Sequence, residues 1–578
     1  MSSDGGGQLA AVADPQGNYA FGPAPAGDAS LAFALDVVLA PDSGWTDGDG
    51  GAATLHFADG MPALTSLDGG TGPMVDGEVF HVAPFELLPA QRIASGGDID
   101  GLVTSSDGAW VVMLEPQPSN YSGTMSIEPT SGGSQPLVLS STALLSDPIE
   151  GNVVRFTPDS AHLIFGADYT AIFGNGTYTL NVANAESAWT AAAIGTGVLN
   201  YETSSDSRYI AFNARDPASG GNYALYLANT DGSAPGSPIA LNVLQHLYRF
   251  SDDGTHLAYI ANQNDELPAT GDLYVRTLGD GGSNYLASNV ESFVVSPAGG
   301  YIAFDVQLPD AGTFTEVADT AGAQPPVVLV NAGYNQLNIA PNATLLADGS
   351  HLVVTDANAT LYRSALPATG ALTTLATNLD DGAALSPDQT QAGCRTGTGN
   401  TLTLVATDGS GNNVSLGTGP GGFAFSADNR WVAYGSSSGL LISSRDGSVT
   451  SAPLNSDASN YIFTPDSSEL VFDGNASTTQ DLFSVSTVPG SSPVLLASGV
   501  ANGKWRLSPD GKEVAFLDAT GQLQVARVGG GLVLPVLDHT MAFSWIGVDT
   551  LVGARGEQPT PALFGFQDGL YTFHTPSP

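Results

Sequence analysis

With 578 residues, 42% of them apolar, the chain has material for large packed cores and for more than one domain. Its 57 acidic against 15 basic residues give a formal net charge of −42, which excludes nucleic acid as a partner and disfavours anionic membranes, since both need clustered Lys or Arg. The single cysteine, Cys394, rules out an internal disulfide, and the sequence holds no apolar run of about 18 residues that would cross a bilayer as a helix.

From the N-terminus, residues 1–50 are polar and rich in Gly and Ser except for "ASLAFALDVVLA" from Ala29. That stretch alternates well enough to form a small β segment or a strand that closes a sheet elsewhere. "SSDGGG" from Ser2 resembles the flexible tether of a mature bacterial lipoprotein, Met1 then standing where the acylated cysteine would be. Two acidic turns follow, "DGDGG" from Asp47 and "GGDIDG" from Gly96, the latter with Asp98 and Asp100. Calcium loops gather about six to eight oxygens and close on an acidic residue at fixed spacing, which neither turn supplies. No metal ligand is assigned.

From Gly101 onward one pattern recurs. "RFTPDSAHLIFGAD" from Arg155 returns as "RFSDDGTHLAYIAN" from Arg249 and "RLSPDGKEVAFLDA" from Arg506. Placing the turn aspartate in a common slot aligns Asp107, Asp159, Asp206, Asp253, Asp348, Asp388, Asp428, Asp466 and Asp510, with Ala298 filling the slot once. Four residues later comes an aliphatic residue such as Val111, Leu163 or Ile210, and six later usually an aromatic such as Phe165, Phe212 or Tyr259. The two-residue step belongs to a strand and predicts a buried face. Pro, Asp and Gly in "SPDG" suit a tight turn, so each copy reads strand, turn, strand, and a third apolar stretch follows. Slots lie 38 to 52 residues apart, the range of a four-stranded propeller blade.

This unit resembles the TolB-type, WD-like propeller repeat of bacterial envelope proteins from about Gly101 to the C-terminus. The resemblance implies an all-β chain of about twelve four-stranded blades, counting a copy at "FSWIGVDTLVG" from Phe543 and a weak one at "HFADGMPALTSL" from His56. The spacing shortens after residue 348, which favours two six-bladed propellers in tandem over one large ring. The expected domains are then 1–50, a tether with a closing strand or small β segment; 51–330, a first propeller; and 331–578, a second.

Candidate chemistry is sparse. The eight histidines contain no His-x-His or His-Glu-x-x-His pair, and His162, His256 and His351 share one repeat position at strand starts. "GSSSG" from Gly435 matches a hydrolase elbow by letters, yet it sits in a turn between blade strands rather than at a strand-to-helix turn. "SSDGAW" from Ser105 matches part of a sialidase Asp-box once only. Cys394 falls in the aromatic slot and reads as a small core residue. The reading is a non-enzymatic scaffold of the cell envelope, periplasmic or at the cell surface, monomeric, without cofactor, presenting loops or a channel mouth to protein partners. A glycan lyase, a glycosidase or a lectin on a propeller is the alternative, a lectin needing Trp110, Trp431 or Trp505 in open pockets.

Overall fold

The computed structural model describes residues 90–575 apart from 96–100, 117–121, 133–135, 145–152, 173–174, 217–222, 234–237, 244–246, 263–269, 280, 309–311, 333–342, 381–382, 420, 475–478, 532 and 557–568, together with three strands before residue 90. It separates into two compact units, one of Arg92–Glu557 with Asp568–Thr572, the other of Met1–Gln91, Gln558–Gln567 and Phe573–Pro578. In the smaller unit Thr54–Ala58 pairs antiparallel with Leu35–Val38 on one side and Met61–Ala63 on the other. The weak repeat copy expected from His56 falls in this sheet. Asp47, Asp98 and Asp100 lie outside the described residues.

The larger unit is a β-propeller. Among its described residues the helical content is one short 3-10 turn, Ala185–Ser187. Everything else regular is antiparallel strand, as the turn chemistry and two-residue period predict. A blade typically runs first strand, slot turn, second strand, third and fourth, as in Tyr248–Phe250, His256–Ala261, Gly271–Thr277 and the first half of Ser283–Val295. Three long strands serve two blades each: Thr190–Thr203, Ser283–Val295 and Val494–Leu507 pair backward through their first halves and forward through their second. In the eighth blade Gly439–Ser444 pairs with Trp431–Ser436 on one side and on the other meets the following segment at the Ser443–Thr450 bridge and through backbone bonds such as Leu440 N to the Asn455 carbonyl.

Among the described residues eleven blades follow in chain order. Their first strands are Gly101–Thr104, Val154–Phe156, the second half of Thr190–Thr203, Tyr248–Phe250, the second half of Ser283–Val295, Ala343–Leu345, Ala384–Leu385, Phe423–Phe425, Tyr461–Phe463, the second half of Val494–Leu507, and Thr540–Trp545. The last blade continues through Thr550–Arg555 and Gly569–His574, and Ala90–Ser95 completes it from the front of the chain. The copy expected from Phe543 is therefore a blade.

The second strands explain the repeat. Val111, Leu163, Ile210, Leu257, Ile302, Leu352, Val432, Leu470 and Val514 are all fully buried, as are the aromatics Phe304, Tyr434 and Phe472 two residues on. The residue between them is buried too: Ile164, Ala211, Ala258, Ala303, Val353, Ala433 and Val471. One face of each second strand packs on the preceding blade, the other on the next. Leu163 and Phe165 join Val112 of the first blade, while Ile164 joins Ile210 and Phe212 of the third. A blade thus buries both faces, one with a large aromatic and the other mostly with a smaller residue. Interiors are filled by such alternation of size. Gly393 shows the limit, since a Cβ there would meet the Phe423 ring of the next blade at 2.4 Å.

The same packing runs through residue 330. Leu329 and Val330 of the fifth blade share a core with Leu345, Leu352 and Val354 of the sixth. At the other end, Val111 and Met113 of the first blade share a core with Val552, Ala554 and Leu570 of the last. Of the two arrangements expected, the contacts follow the single run, which closes on itself within this unit. A parting at 330 would leave two apolar blade faces bare.

Candidate functional site

The slot turns form one rim of the blades, and their polar groups are engaged at home. In most copies a Ser or Thr two residues before the aspartate donates its hydroxyl to Oδ1, at 2.6 Å in Ser105–Asp107, Thr157–Asp159, Ser204–Asp206, Ser251–Asp253 and Thr464–Asp466. The same oxygen accepts the amide two residues on, such as Ala161 N at 3.0 Å. The hydroxyl in turn accepts the amide that opens the second strand, such as His162 N at 3.1 Å. Buried hydroxyl, carboxylate and strand start thereby satisfy one another. Burial pushes the Asp388 carboxyl up, but donors on Ser386, Arg445 and Thr390 outweigh it and hold the group down at about 2. Asp348 is likewise held at about 2, burial again opposing donors on His351 and Ser350.

Neighbouring turns are tied as well. Ser160, Ser207 and Ser467, all at positive φ near 61°, accept from the amides of Asp107, Asp159 and Asp428 of the preceding blade at 3.0–3.1 Å. Where glycine takes that position, as Gly511 does at φ 76°, the turn packs bare against Pro465.

The other residues singled out in the sequence are structural. His162 faces its own Asp159 at 3.8 Å, His351 its own Asp348 at 2.7 Å, and His256 its own Thr255 at 2.7 Å. They occupy three separate blades. Ser436 and Gly439 of "GSSSG" pair across a β-hairpin, so no elbow is formed. Cys394 is fully buried beside Ala392 and Val405, and burial pushes its thiol up to about 11. A thiolate nucleophile is disfavoured there. Trp110 stacks edge-on against Trp189 at 5.1 Å, Trp431 packs beside Phe463 and Phe472, and Trp505 is buried with its Nε1 donating to Asp473 at 3.3 Å.

A different slot stands out at the first strands. Neighbouring blades come closest there, first strand against first strand, as between Gly101–Thr104 and both Val154–Phe156 and Thr540–Trp545. The sheets fan apart toward their fourth strands, where Val138, Val328 and Leu495 are exposed. On the narrow side the residue four before the slot is Val103, Arg155, Glu202, Arg249, Val294, Thr344, Ala384, Ala424, Ile462 and Arg506 in turn. Three of the chain's 15 basic residues share this position, and Lys504 stands two residues before Arg506. Arg155, Arg249, Lys504 and Arg506 are all exposed.

Arg249 Nη1 lies 3.3 Å from Glu202 Oε2, and the Phe250 amide donates to Glu202 Oε1 at 3.4 Å. The Arg155 guanidinium rests 5.9 Å from the Tyr201 ring centre. Burial pushes the Glu202 carboxyl upward, and the two guanidiniums nearby only moderate the rise. Arg506 Nη1 donates to the Trp505 carbonyl at 2.8 Å. By contrast Arg208, Arg430 and Lys512, two residues after the slot, each pair with their own turn aspartate on the rim at 2.6, 3.7 and 3.5 Å. Chemically the inner row offers guanidinium forks with one carboxylate, Glu202, among them, a net positive set suited to oxyanions. The signal is in the sequence, for the arginines begin "RFTPD", "RFSDD" and "RLSPD", but the turn and core positions beside them carry the stronger repeat.

No family model and no curated protein matches the chain. Among solved structures, a eukaryotic initiation factor aligns at 12% identity over 62% of this chain and 93% of its own, with a TM-score of 0.37. Dipeptidyl peptidase 4 of Porphyromonas gingivalis aligns at 10% identity over 74% of this chain and 65% of its own, with a TM-score of 0.38. The assignment to the β-propellers rests on the blades themselves.

Proposed function

We propose that the protein is a non-enzymatic binding scaffold of the bacterial envelope, exported to the periplasm or cell surface, that holds a protein partner against the inner row of its first strands. One observation carries the binding part of this reading. Of the polar repeat positions, those on the rim bond within their own turns or to the next turn, while the inner slot changes chemistry from blade to blade and is exposed at Arg155, Arg249, Thr344, Ala384, Ile462 and Arg506. Fixed positions build a scaffold, and a varied, exposed position on that scaffold is where recognition is written. The envelope location is supported by the resemblance of the repeat.

A photoreactive side chain at Thr344, introduced into the protein in the cells that produce it, tests the reading. Covalent adducts with a protein, recovered from the envelope fraction, are expected. Shortening of a polysaccharide by the purified protein, or recovery of all the protein in the cytosol, would overturn it.

A further inference from the structure

The inner row has two halves. Through the closure between last and first blades, Arg506 with Lys504 on the tenth, Arg155 on the second and Arg249 on the fourth stand in one arc, with Glu202 of the third paired to Arg249 and the arc still net positive. The fifth to ninth blades contribute only uncharged residues at that slot, from Val294 to the exposed Ile462. We infer that the segment this row takes up is an acidic peptide carrying apolar side chains as well, an inference that rests on the binding-scaffold reading above.

Four considerations select this occupant. The spaced guanidiniums are complementary to carboxylates, and exposed Arg is the side chain best shaped to grip them in pairs. The uncharged arc asks for apolar groups on the same ligand, which a peptide supplies and a uniformly hydrated acidic glycan does not. Trp110, Trp431 and Trp505, platforms on which a sugar could stack, pack against the cores. Furthermore, a protein of net charge −42 repels a dense polyanion at long range. The carboxylates must therefore be few and must reach the arginines directly.

The test uses the full-length protein and fluorescence anisotropy of a short labelled peptide alternating Glu and Leu. Binding is expected, with affinity falling about tenfold or more when Gln replaces Glu in the peptide or when Arg155→Gln and Arg506→Gln are combined in the protein. The pair Arg155→Lys and Arg506→Lys should retain most of it, which a merely structural role for the arginines would not predict. Polygalacturonate should compete poorly. Equal binding of the Gln and Glu peptides would overturn the acidic assignment while leaving a peptide-binding row in place. Binding of polygalacturonate in preference to the peptide would overturn the choice of ligand class, and failure of every peptide to bind would overturn the inference and the scaffold reading together. Unchanged melting of the Gln variants separates lost binding from lost fold; if they unfold, the Lys pair and the two peptides decide alone.

Discussion

The turn rim and the inner row come from the same repeat, only four residues apart, and behave as opposites. On the rim the aspartate recurs in nine of ten aligned copies and its oxygens are occupied by the hydroxyl before it and the amide after it. On the inner row the slot runs from Val to Arg to Glu to Ile, and its arginines are exposed. A chain of repeats supplies its own internal comparison: positions that every copy needs alike serve the turn and the core, and the position that each copy fills differently is left to face a ligand. Changes on the rim and in the cores should therefore move stability and leave binding alone, and changes on the inner row should do the reverse.

The largest effect should come from cutting the run of blades. Residues 331–578 expressed alone should fail to give a cooperatively unfolding monomer, because the cut bares the Leu345, Leu352 and Val354 face and removes the partner of Val552 and Ala554. Sedimentation and thermal melting check this, and a soluble, cooperatively melting monomer would restore two independent rings. Next, Phe212→Ala and Phe472→Ala, at equivalent buried positions in the third and ninth blades, should each lower stability by about 3–5 kcal/mol in denaturant titrations. Similar losses at both would show that the arcs differ in their inner row and not in their cores.

Asp388→Ala should cost about 0.5–2 kcal/mol, removing the acceptor for Ser386, Thr390 and Arg445. The pH dependence follows from the same bonds. The Asp348 and Asp388 carboxyls sit at about 2 in the fold, below the ordinary value of 3.8. Their contribution is thus fully present above pH about 4 and is lost as pH falls toward about 2. Acid melting curves of the wild type and of Asp388→Ala should converge across that window. Smaller still, Ser467→Ala should cost about 1 kcal/mol, losing the acceptor for the Asp428 amide while keeping an unfavourable φ, whereas Ser467→Gly should be close to neutral. Arg155→Gln should change stability by no more than about 0.5 kcal/mol, as expected of an exposed charge.

Much of the fold was legible because its determinants are local. Turn residues lie beside one another in the chain, and the aliphatic and aromatic residues after the slot declare a strand by their spacing. The buried residue between them was harder to read, since Ala211 or Ala258 signals a buried face less loudly than Phe212 or Tyr259. What could not be read was long-range. Ala90–Ser95 joins a sheet with Gly569–His574, nearly the whole chain away, and no local pattern announces that pairing. The shorter spacing after residue 348 suggested a boundary; in the fold the sixth and seventh blades simply have short third and fourth strands, such as Leu361–Ala365 and Leu372–Ala376. The inner arginines were in view from the start, but exposure on a narrow side is a property of stacked blades that one strand cannot show.

Recognition at the inner row is tested by placing a photoreactive side chain in turn at Thr344 on that row, at Asp252 on the rim and at Val138 on an outer strand, and irradiating each protein with the Glu-Leu peptide. Peptide adducts are expected at Thr344 and few at Asp252 or Val138. Adducts concentrated at Val138, where an exposed apolar strand offers a rival surface, would contradict it.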